Sequence, residues 1–201
     1  MVRIAVTGGI GCGKSFVASC LSEQGAEICE TDELTRFLMR RGGDLYDPVL
    51  EEFGKGILSG SGEIDRGKLG AEVFGDVRKL EALNAITHPV IRKSWEAWLA
   101  DQESHSPPGR KTAAVVVAPL LFEAGYESGW DAVVCVTACI KERQERLIGR
   151  GLSESGIRAR IASQGSLAEK AFRSDFVVVN NGTRESAKEQ SRRILRRILE
   201  N

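Results

Sequence analysis

Residues 6–16 read VTGGIGCGKSF and place four glycines between a short apolar run and a lysine. Each glycine costs roughly 0.5–1 kcal/mol relative to alanine inside regular structure, so the cluster indicates a backbone shape that other residues cannot adopt. The stretch follows a strand-like run, precedes a helical pattern and matches G-x-x-x-x-G-K-[ST] at Gly8, Gly13, Lys14 and Ser15. We therefore predict a phosphate-binding loop between a strand and a helix.

The chemistry of such a loop resides in its backbone and in its last two residues. Successive N–H groups converge on a phosphate at the positive end of the following helix. Lys14 adds a positive charge for the terminal phosphates of a nucleotide, and the Ser15 hydroxyl can coordinate Mg²⁺. The dinucleotide-binding pattern G-x-G-x-x-G does not fit, because the loop glycines are spaced two apart. The predicted nucleotide-binding residues of the loop are Gly9, Ile10, Gly11, Cys12, Gly13, Lys14, Ser15 and Phe16.

Composition limits the partners expected of this chain. With 201 residues and 42% hydrophobic content, it can bury one sizeable core. Lysine and arginine together number 28, as do aspartate and glutamate, so no global basic surface predicts nucleic-acid binding. We find no apolar stretch long enough to span a bilayer and no N-terminal pattern of a secretory signal. We expect a monomer or weak homo-oligomer with no nucleic-acid or membrane partner.

The cysteines predict a reducing environment. There are five of them, an odd number without the dense spacing of a disulfide framework, which indicates free thiols in the cytoplasm. Cys135 and Cys139 lie on or beside an apolar run and are expected in the core. Cys12 lies in the predicted phosphate loop, where it is either a small residue that fits or a thiol whose ionisation the helix N-terminus favours.

Strand-like and helical patterns alternate along the chain. Five apolar, β-branched runs can be recognised, namely RIAVTGG, AEICE, TAAVVVAPLLF, DAVVCVTA and DFVVVNN. Longer segments of helical period separate them, which predicts an α/β fold with a parallel sheet covered on both faces. Residues 44–109, which lie between the second and third runs, are predicted to form a helical insertion. Within it, His88 and Pro89 are expected to start a helix that runs to Gln102.

Two carboxylates accompany the second strand-like run. Glu30 and Asp32 stand in the sequence CETDELTR, at the carboxyl end of a predicted strand, where open α/β folds bind ligands. In that position Asp32 can accept a hydrogen bond from an attacking hydroxyl and orient it toward a γ-phosphate. It can also serve as the N-cap of the following helix. The sequence contains no N-K-x-D stretch for reading guanine, which argues against a GTPase.

Three arginines recur at helical spacing in the second half of the chain. Arg143, Arg146 and Arg150 are three and four positions apart, so a helix would direct all of them to one side. Such a face can close over a triphosphate and stabilise the charge that develops during transfer. The alternative is a solvated helix in which Glu142 pairs with Arg146.

Several motifs together resemble the dephospho-coenzyme A kinase family over nearly the whole chain. They are TGGIGCGKS, TDELTR, GEIDRGKLGAEVF, LNAITHPVIR, APLLFEAG, RQERLIGR and SDFVVVNNG. The resemblance implies a P-loop kinase fold of five parallel strands flanked by helices, with residues 44–109 as an acceptor-binding subdomain and residues 140–165 as a helical lid. It also implies ATP- and Mg²⁺-dependent phosphorylation of the ribose 3′-hydroxyl of dephospho-coenzyme A, the final step of coenzyme A synthesis.

The resemblance assigns roles on the acceptor side. Asp32 takes the place of the family's proposed base, and Arg36 takes the place of the arginine in the same motif. Glu30 replaces the family's first aspartate, which lengthens that side chain by a methylene. For His88, residue type alone supports a packed or capping role at least as well as a site role. The further residues expected to contact the acceptor are His88, Leu120, Leu121 and Glu123.

On the nucleotide side, the resemblance selects Arg146 as the lid residue that joins Lys14 in stabilising the moving phosphoryl group. Arg143 stands where the family commonly has glutamine and is also expected to contact ATP. Asn181 is expected near the nucleotide base. A turn before Gly182 explains the two adjacent asparagines equally well.

Overall fold

The computed structural model describes residues 1–73, 75–109 and 111–200. Phe74, which the sequence analysis places in the helical insertion, lies outside the described residues. Five strands form one sheet in the order β2-β3-β1-β4-β5, and every neighbouring pair is parallel. The strands are β1 (Val2–Gly8), β2 (Glu27–Glu30), β3 (Ala113–Val117), β4 (Ala132–Thr137) and β5 (Phe176–Val179). The predicted five-stranded parallel sheet is therefore confirmed.

Helices occupy most of the chain between the strands. In chain order they are α1 (Lys14–Ser22), α2 (Thr31–Leu38), α3 (Tyr46–Phe53), α4 (Arg66–Val73), α5 (Val77–His105), α6 (Ile140–Ile148), α7 (Glu154–Ala162), α8 (Leu167–Phe172) and α9 (Arg184–Glu200). A 3-10 helix, Lys55–Ile57, lies between α3 and α4. Among the helices that the structure describes, none combines the length and the apolarity that a membrane span requires.

The central strands form the core, and their carboxyl ends lie side by side at one edge of the sheet. All five residues of β3 are buried, as a strand covered on both faces requires. Val6 of β1 lies opposite Val117 of β3, and Gly8 of β1 lies opposite Val136 of β4. Because these strands are parallel, the loops that follow them emerge at one edge of the sheet. Whatever chemistry those loops carry is thereby collected in one place.

The chain divides into two compact units. The sheet unit comprises Met1–Glu30 and the described residues from Trp98 onward, and its core contains apolar residues of the strands together with α1 and α9. The helical unit spans Thr31–Ala97. In it, α3 and α4 both contact the 3-10 helix, and the Tyr46 hydroxyl donates to the Gly62 carbonyl. The role of residues 44–109 in binding an acceptor stays a prediction.

Helix α5 begins earlier in the chain than the sequence predicted. It is continuous from Val77 to His105 with Pro89 inside it, so the prediction that His88 and Pro89 start a helix is wrong. The start is set instead by Asp76, whose carboxylate accepts hydrogen bonds from the backbone N–H groups of Arg78 and Lys79. Proline inside a helix costs about 3 kcal/mol because it removes one hydrogen bond and its ring clashes with the carbonyl of the preceding turn. Burial of apolar side chains along the second half of α5 offsets that cost; they include Ile91, Trp95 and Leu99.

Candidate active site

The glycine-rich loop joins β1, which ends at Gly8, to α1, which begins at Lys14. Gly11 has a φ of 77°, and a Cβ there would lie 3.0 Å from the carbonyl oxygen of Arg143. Gly13 has a φ of 91°, and its Cβ would collide with the side-chain amide of Asn180. L-residues rarely adopt such backbone angles, and both sites lack space. The glycines thus allow neighbouring elements to approach the loop closely as well as exposing its amides.

The loop presents backbone donors that the protein itself does not use. The N–H of Ile10 donates to Gln164 Oε1 at 2.7 Å, and the N–H of Cys12 donates to the Gly9 carbonyl at 3.2 Å. The N–H groups of Gly11, Gly13 and Ser15, by contrast, have no acceptor among residues 1–73, 75–109 and 111–200. They lie in the loop and at the positive end of α1, where a phosphate supplies the missing oxygens.

Lys14 and Ser15 add side-chain chemistry to these amides. The Lys14 ammonium donates to the carbonyls of Gly8 and Gly9, each at 3.1 Å, and so lies over the start of the loop. The Ser15 hydroxyl donates to Glu30 Oε2 at 3.0 Å, and Glu30 is the last residue of β2. Two hard oxygen groups therefore meet beside the phosphate loop. Such groups are the ligands that Mg²⁺ prefers.

Two of the predicted arginines lie against the loop. Arg143, only 7% exposed, donates from Nε to the Ile10 carbonyl at 2.8 Å. Arg146 reaches the carbonyls of Gly11 and Cys12 from Nη1 at 3.4 and 3.5 Å, and it pairs through Nη2 with Glu142 at 3.1 Å. The Glu142–Arg146 pair, which the sequence suggested as an alternative to a phosphate-binding role, is thus present together with the contacts between Arg146 and the loop.

Arg150 does not share this arrangement. Helix α6 ends at Ile148, and Arg150 is an exposed residue in the turn beyond it, so the expectation that all three arginines share one helix face is wrong. The helix is terminated by Gly151, which has a φ of 81° and donates its N–H to the Ile148 carbonyl at 2.8 Å.

Asn180 and Asn181 hold the loop and α6 in different ways. The buried Asn180 side chain donates to the Cys12 carbonyl at 2.9 Å. The exposed Asn181 accepts the Cys139 N–H at 2.6 Å with Oδ1, immediately before α6. The structure therefore brings Asn180 against the phosphate loop, a contact that the sequence did not predict. Contact of Asn181 with a nucleotide base stays a prediction.

The cysteines divide by burial. Cys12 and Cys135 are fully buried, and burial raises the pKa of the Cys135 thiol to about 11. Cys139 is exposed, so the expectation that it lies in the core is wrong. Cys139 lies two residues beyond the end of β4 and directly before α6, where the chain leaves the buried strand.

The loop after β3 is fixed by a lysine that the sequence analysis missed. Glu123 Oε1 accepts the Gly165 N–H at 2.8 Å and lies 2.7 Å from Lys170 Nζ. Lys170, only 2% exposed, also donates to the Pro119 carbonyl at 2.8 Å. The available signal was its position three residues after Leu167 on the inward stripe of α8. Leu121 is fully buried in this loop, whereas Leu120 is partly exposed.

Replacing Glu123 by glutamine is expected to lower the free energy of unfolding by about 3 kcal/mol, because it leaves the buried Lys170 ammonium without its charge partner. Equilibrium urea unfolding measures this loss. The matched control is Glu154→Gln, which breaks a pair with Arg158 whose side chains are 80% and 71% exposed. That control should change stability by less than about 0.5 kcal/mol. Equal stabilities of the two variants would contradict the structural role of the Glu123 pair.

Three predicted acceptor-side residues belong to the helical unit. Asp32 and Arg36 are exposed on α2, four residues apart and thus on one face. Helix α2 begins at Thr31, directly after β2, so Asp32 occupies its second position and is not its N-cap. His88 is partly buried on α5, and burial lowers the pKa of its imidazole, which favours the neutral ring.

These features define a P-loop kinase. They are a parallel five-stranded sheet, a phosphate loop after β1, a lysine and a serine at the start of α1, and arginines against the loop. Comparison with known proteins identifies the family within this class. A family model described as dephospho-CoA kinase matches residues 2–186. The chain belongs to this family.

Individual relatives agree with the family match. The dephospho-CoA kinase of Geobacillus kaustophilus is 43% identical over 196 residues, which cover 97% of this chain and 96% of that protein. A solved Thermus thermophilus structure has a TM-score of 0.79 at 30% identity, covering 98% of this chain and 97% of the other. The solved dephospho-CoA kinase of Campylobacter jejuni has a TM-score of 0.62 at 23% identity, covering 99% of this chain and 98% of that chain. The last of these supports the fold alone.

Proposed function

We propose that this protein transfers the γ-phosphate of ATP to the ribose 3′-hydroxyl of dephospho-CoA, giving CoA and ADP in the final step of CoA biosynthesis. The observation that carries the proposal is the loop whose Gly11, Gly13 and Ser15 amides have no acceptor among the described residues. These amides can donate hydrogen bonds to a bound anion. Membership in the dephospho-CoA kinase family supports the identity of the acceptor.

Mg²⁺ is expected to accompany ATP. The Ser15 hydroxyl and the Glu30 carboxylate, 3.0 Å apart, supply oxygen donors that suit this ion. Within the described residues there is no group of three or more His, Cys, Asp or Glu side chains arranged for a metal. This fits an ion held mainly by nucleotide phosphates and water, with few protein ligands. When bound, Mg²⁺ neutralises charge on the phosphates.

Side chains of the protein stabilise the transferred phosphoryl group and orient the acceptor hydroxyl. Lys14 moves its ammonium from the loop carbonyls to the terminal phosphates and stabilises the charge that develops there. Arg146 and Arg143 contribute further positive charge from α6. Asp32 accepts a hydrogen bond from the 3′-hydroxyl, orients the oxygen for in-line attack and takes its proton. Catalysis is therefore positioning combined with electrostatic stabilisation.

The helical insertion, residues 44–109, is expected to bind the acceptor. Closure of the lid, residues 140–165, then excludes water and limits hydrolysis of ATP. The enzyme would act in the cytoplasm as a monomer or weak homo-oligomer, without a nucleic-acid or membrane partner. The residues proposed to contact the acceptor are Asp32, Arg36, His88, Leu120, Leu121 and Glu123.

Product analysis tests this proposal. The protein is incubated with ATP, Mg²⁺ and dephospho-CoA, and the product is identified by mass spectrometry and by ³¹P NMR. We expect a new phosphomonoester on the ribose 3′-oxygen and one ADP per product. An acceptor panel containing adenosine, AMP and pantetheine serves as the control. Phosphorylation of another acceptor in place of dephospho-CoA would indicate a different small-molecule kinase, and ATP binding without transfer would indicate a nucleotide-dependent binding module.

A further inference from the structure

Ile10, at the apex of the phosphate loop, is held from both sides by side chains distant in sequence. Its N–H donates to Gln164 Oε1 at 2.7 Å, and its carbonyl accepts from Arg143 Nε at 2.8 Å. These two contacts fix the two peptide groups that flank the Ile10 Cα. We call Arg143 and Gln164 the Ile10 clamp.

The clamp compensates for the freedom of its neighbours. Ile10 stands between Gly9 and Gly11, and glycine backbone angles are less restricted than those of any other residue. Without fixed partners, the peptide groups on either side of Ile10 can rotate, and the Gly11 N–H can turn away from a phosphate. A hydrogen bond at each of the two groups limits this rotation before any nucleotide arrives.

The Gln164 side of the clamp is itself anchored. Gln164 lies between α7 and α8, and the next residue, Gly165, donates its N–H to Glu123 Oε1 at 2.8 Å. Glu123 in turn pairs with the buried Lys170 at 2.7 Å. The turn that carries Gln164 forms the C-terminal end of the proposed lid, residues 140–165, and it is tied to the loop after β3. The Gln164 amide is therefore presented to Ile10 from the anchored end of the lid.

We propose that Gln164 is a positioning residue of the nucleotide site, and that its side-chain carbonyl holds the loop apex in the conformation that binds the phosphates of ATP. The inference rests on the proposed function only in naming ATP as the ligand. Gln164 acts through the backbone of Ile10 and takes no part in the transfer itself. Its contribution appears in nucleotide affinity rather than in turnover.

The test compares Gln164→Met, which keeps the length but removes the acceptor, with Gln164→Glu, which keeps an acceptor oxygen. Gln144→Met is the matched control, because Gln144 is an exposed glutamine on α6. Hydrogen–deuterium exchange of the peptide containing Ile10 is measured without nucleotide. The dissociation constant of MgATP is measured by calorimetry without acceptor. Steady-state kinetics then give KM for ATP and kcat.

We expect Gln164→Met to exchange faster at the loop, to bind MgATP roughly 3- to 10-fold more weakly and to raise KM for ATP by the same factor, with kcat changed less than about twofold. Gln164→Glu should retain the protection of the loop in the absence of nucleotide, and Gln144→Met should match the wild type. Wild-type exchange and affinity in Gln164→Met would overturn the proposal, as would tighter ATP binding. If the wild type binds ATP but does not phosphorylate dephospho-CoA, the proposed function fails, while exchange and affinity still decide the role of Gln164.

Discussion

Asp32→Asn is expected to lower kcat with dephospho-CoA by about 10²- to 10⁴-fold. The carboxamide has nearly the shape of the carboxylate but cannot take the proton of the ribose hydroxyl. Asp32 is exposed at the second position of α2, so the substitution removes no buried contact. Affinity for MgATP should therefore stay within about twofold of the wild type. ADP release in a coupled assay measures turnover, and calorimetry measures ATP binding.

Glu33→Gln is the control for this change. Glu33 is exposed in the same first turn of α2 and loses the same charge on substitution. We expect its turnover to remain near that of the wild type. Wild-type turnover in Asp32→Asn would remove Asp32 as the base, and an equal loss in both variants would reduce its role to a general effect of negative charge on α2.

Lys14→Met is expected to lower kcat/KM for ATP by about 10²- to 10³-fold. The substitution keeps an unbranched side chain of similar length but removes the charge that would stabilise the terminal phosphates. It also removes the donor that now contacts the Gly8 and Gly9 carbonyls. Steady-state kinetics with ATP as the varied substrate measure the loss, and urea unfolding shows whether the loop contacts contribute to stability.

Lys141→Met provides the matched control, because Lys141 is an exposed lysine on α6. Its kinetics should be those of the wild type. Retention of normal ATP use by Lys14→Met would contradict the placement of the triphosphate on this loop. A similar loss in both lysine variants would point to a nonspecific effect of net charge on nucleotide binding.

The strands of the sheet could be predicted because each is identified by its own short run of apolar residues. β3 reads AAVVV and is buried along its whole length, so its apolar run identifies it without further information. The phosphate loop was equally accessible, since its glycine spacing, lysine and serine occupy a single short stretch between a strand and a helix. Helix α5 shows the limit of such patterns. Pro89 marks a helix start by local preference, yet burial of side chains beyond it keeps α5 continuous.

The supports of the site could not be predicted in the same way. Gln164 bonds to a residue 154 positions away, and Asn180 bonds to one 168 positions away. Glutamine and asparagine are common surface residues, and no periodicity distinguishes these from others. Only the order of the strands brings the turn after α7 and the residues after β5 to the loop. Two supports had a local signal. Arg143 is recognisable by its spacing from Arg146, and Lys170 lies three residues after Leu167 on a short helix.

A crystal structure with a non-hydrolysable ATP analogue, Mg²⁺ and dephospho-CoA would show whether the triphosphate binds the glycine-rich loop and whether the ribose faces Asp32. We expect phosphate oxygens within about 2.7–3.2 Å of the N–H groups of Gly11, Gly13 and Ser15. We also expect the ribose 3′-oxygen within about 2.6–3.2 Å of the Asp32 carboxylate. A nucleotide bound away from the loop, or an Asp32 side chain directed away from the ribose in the fully liganded complex, would contradict the proposed function.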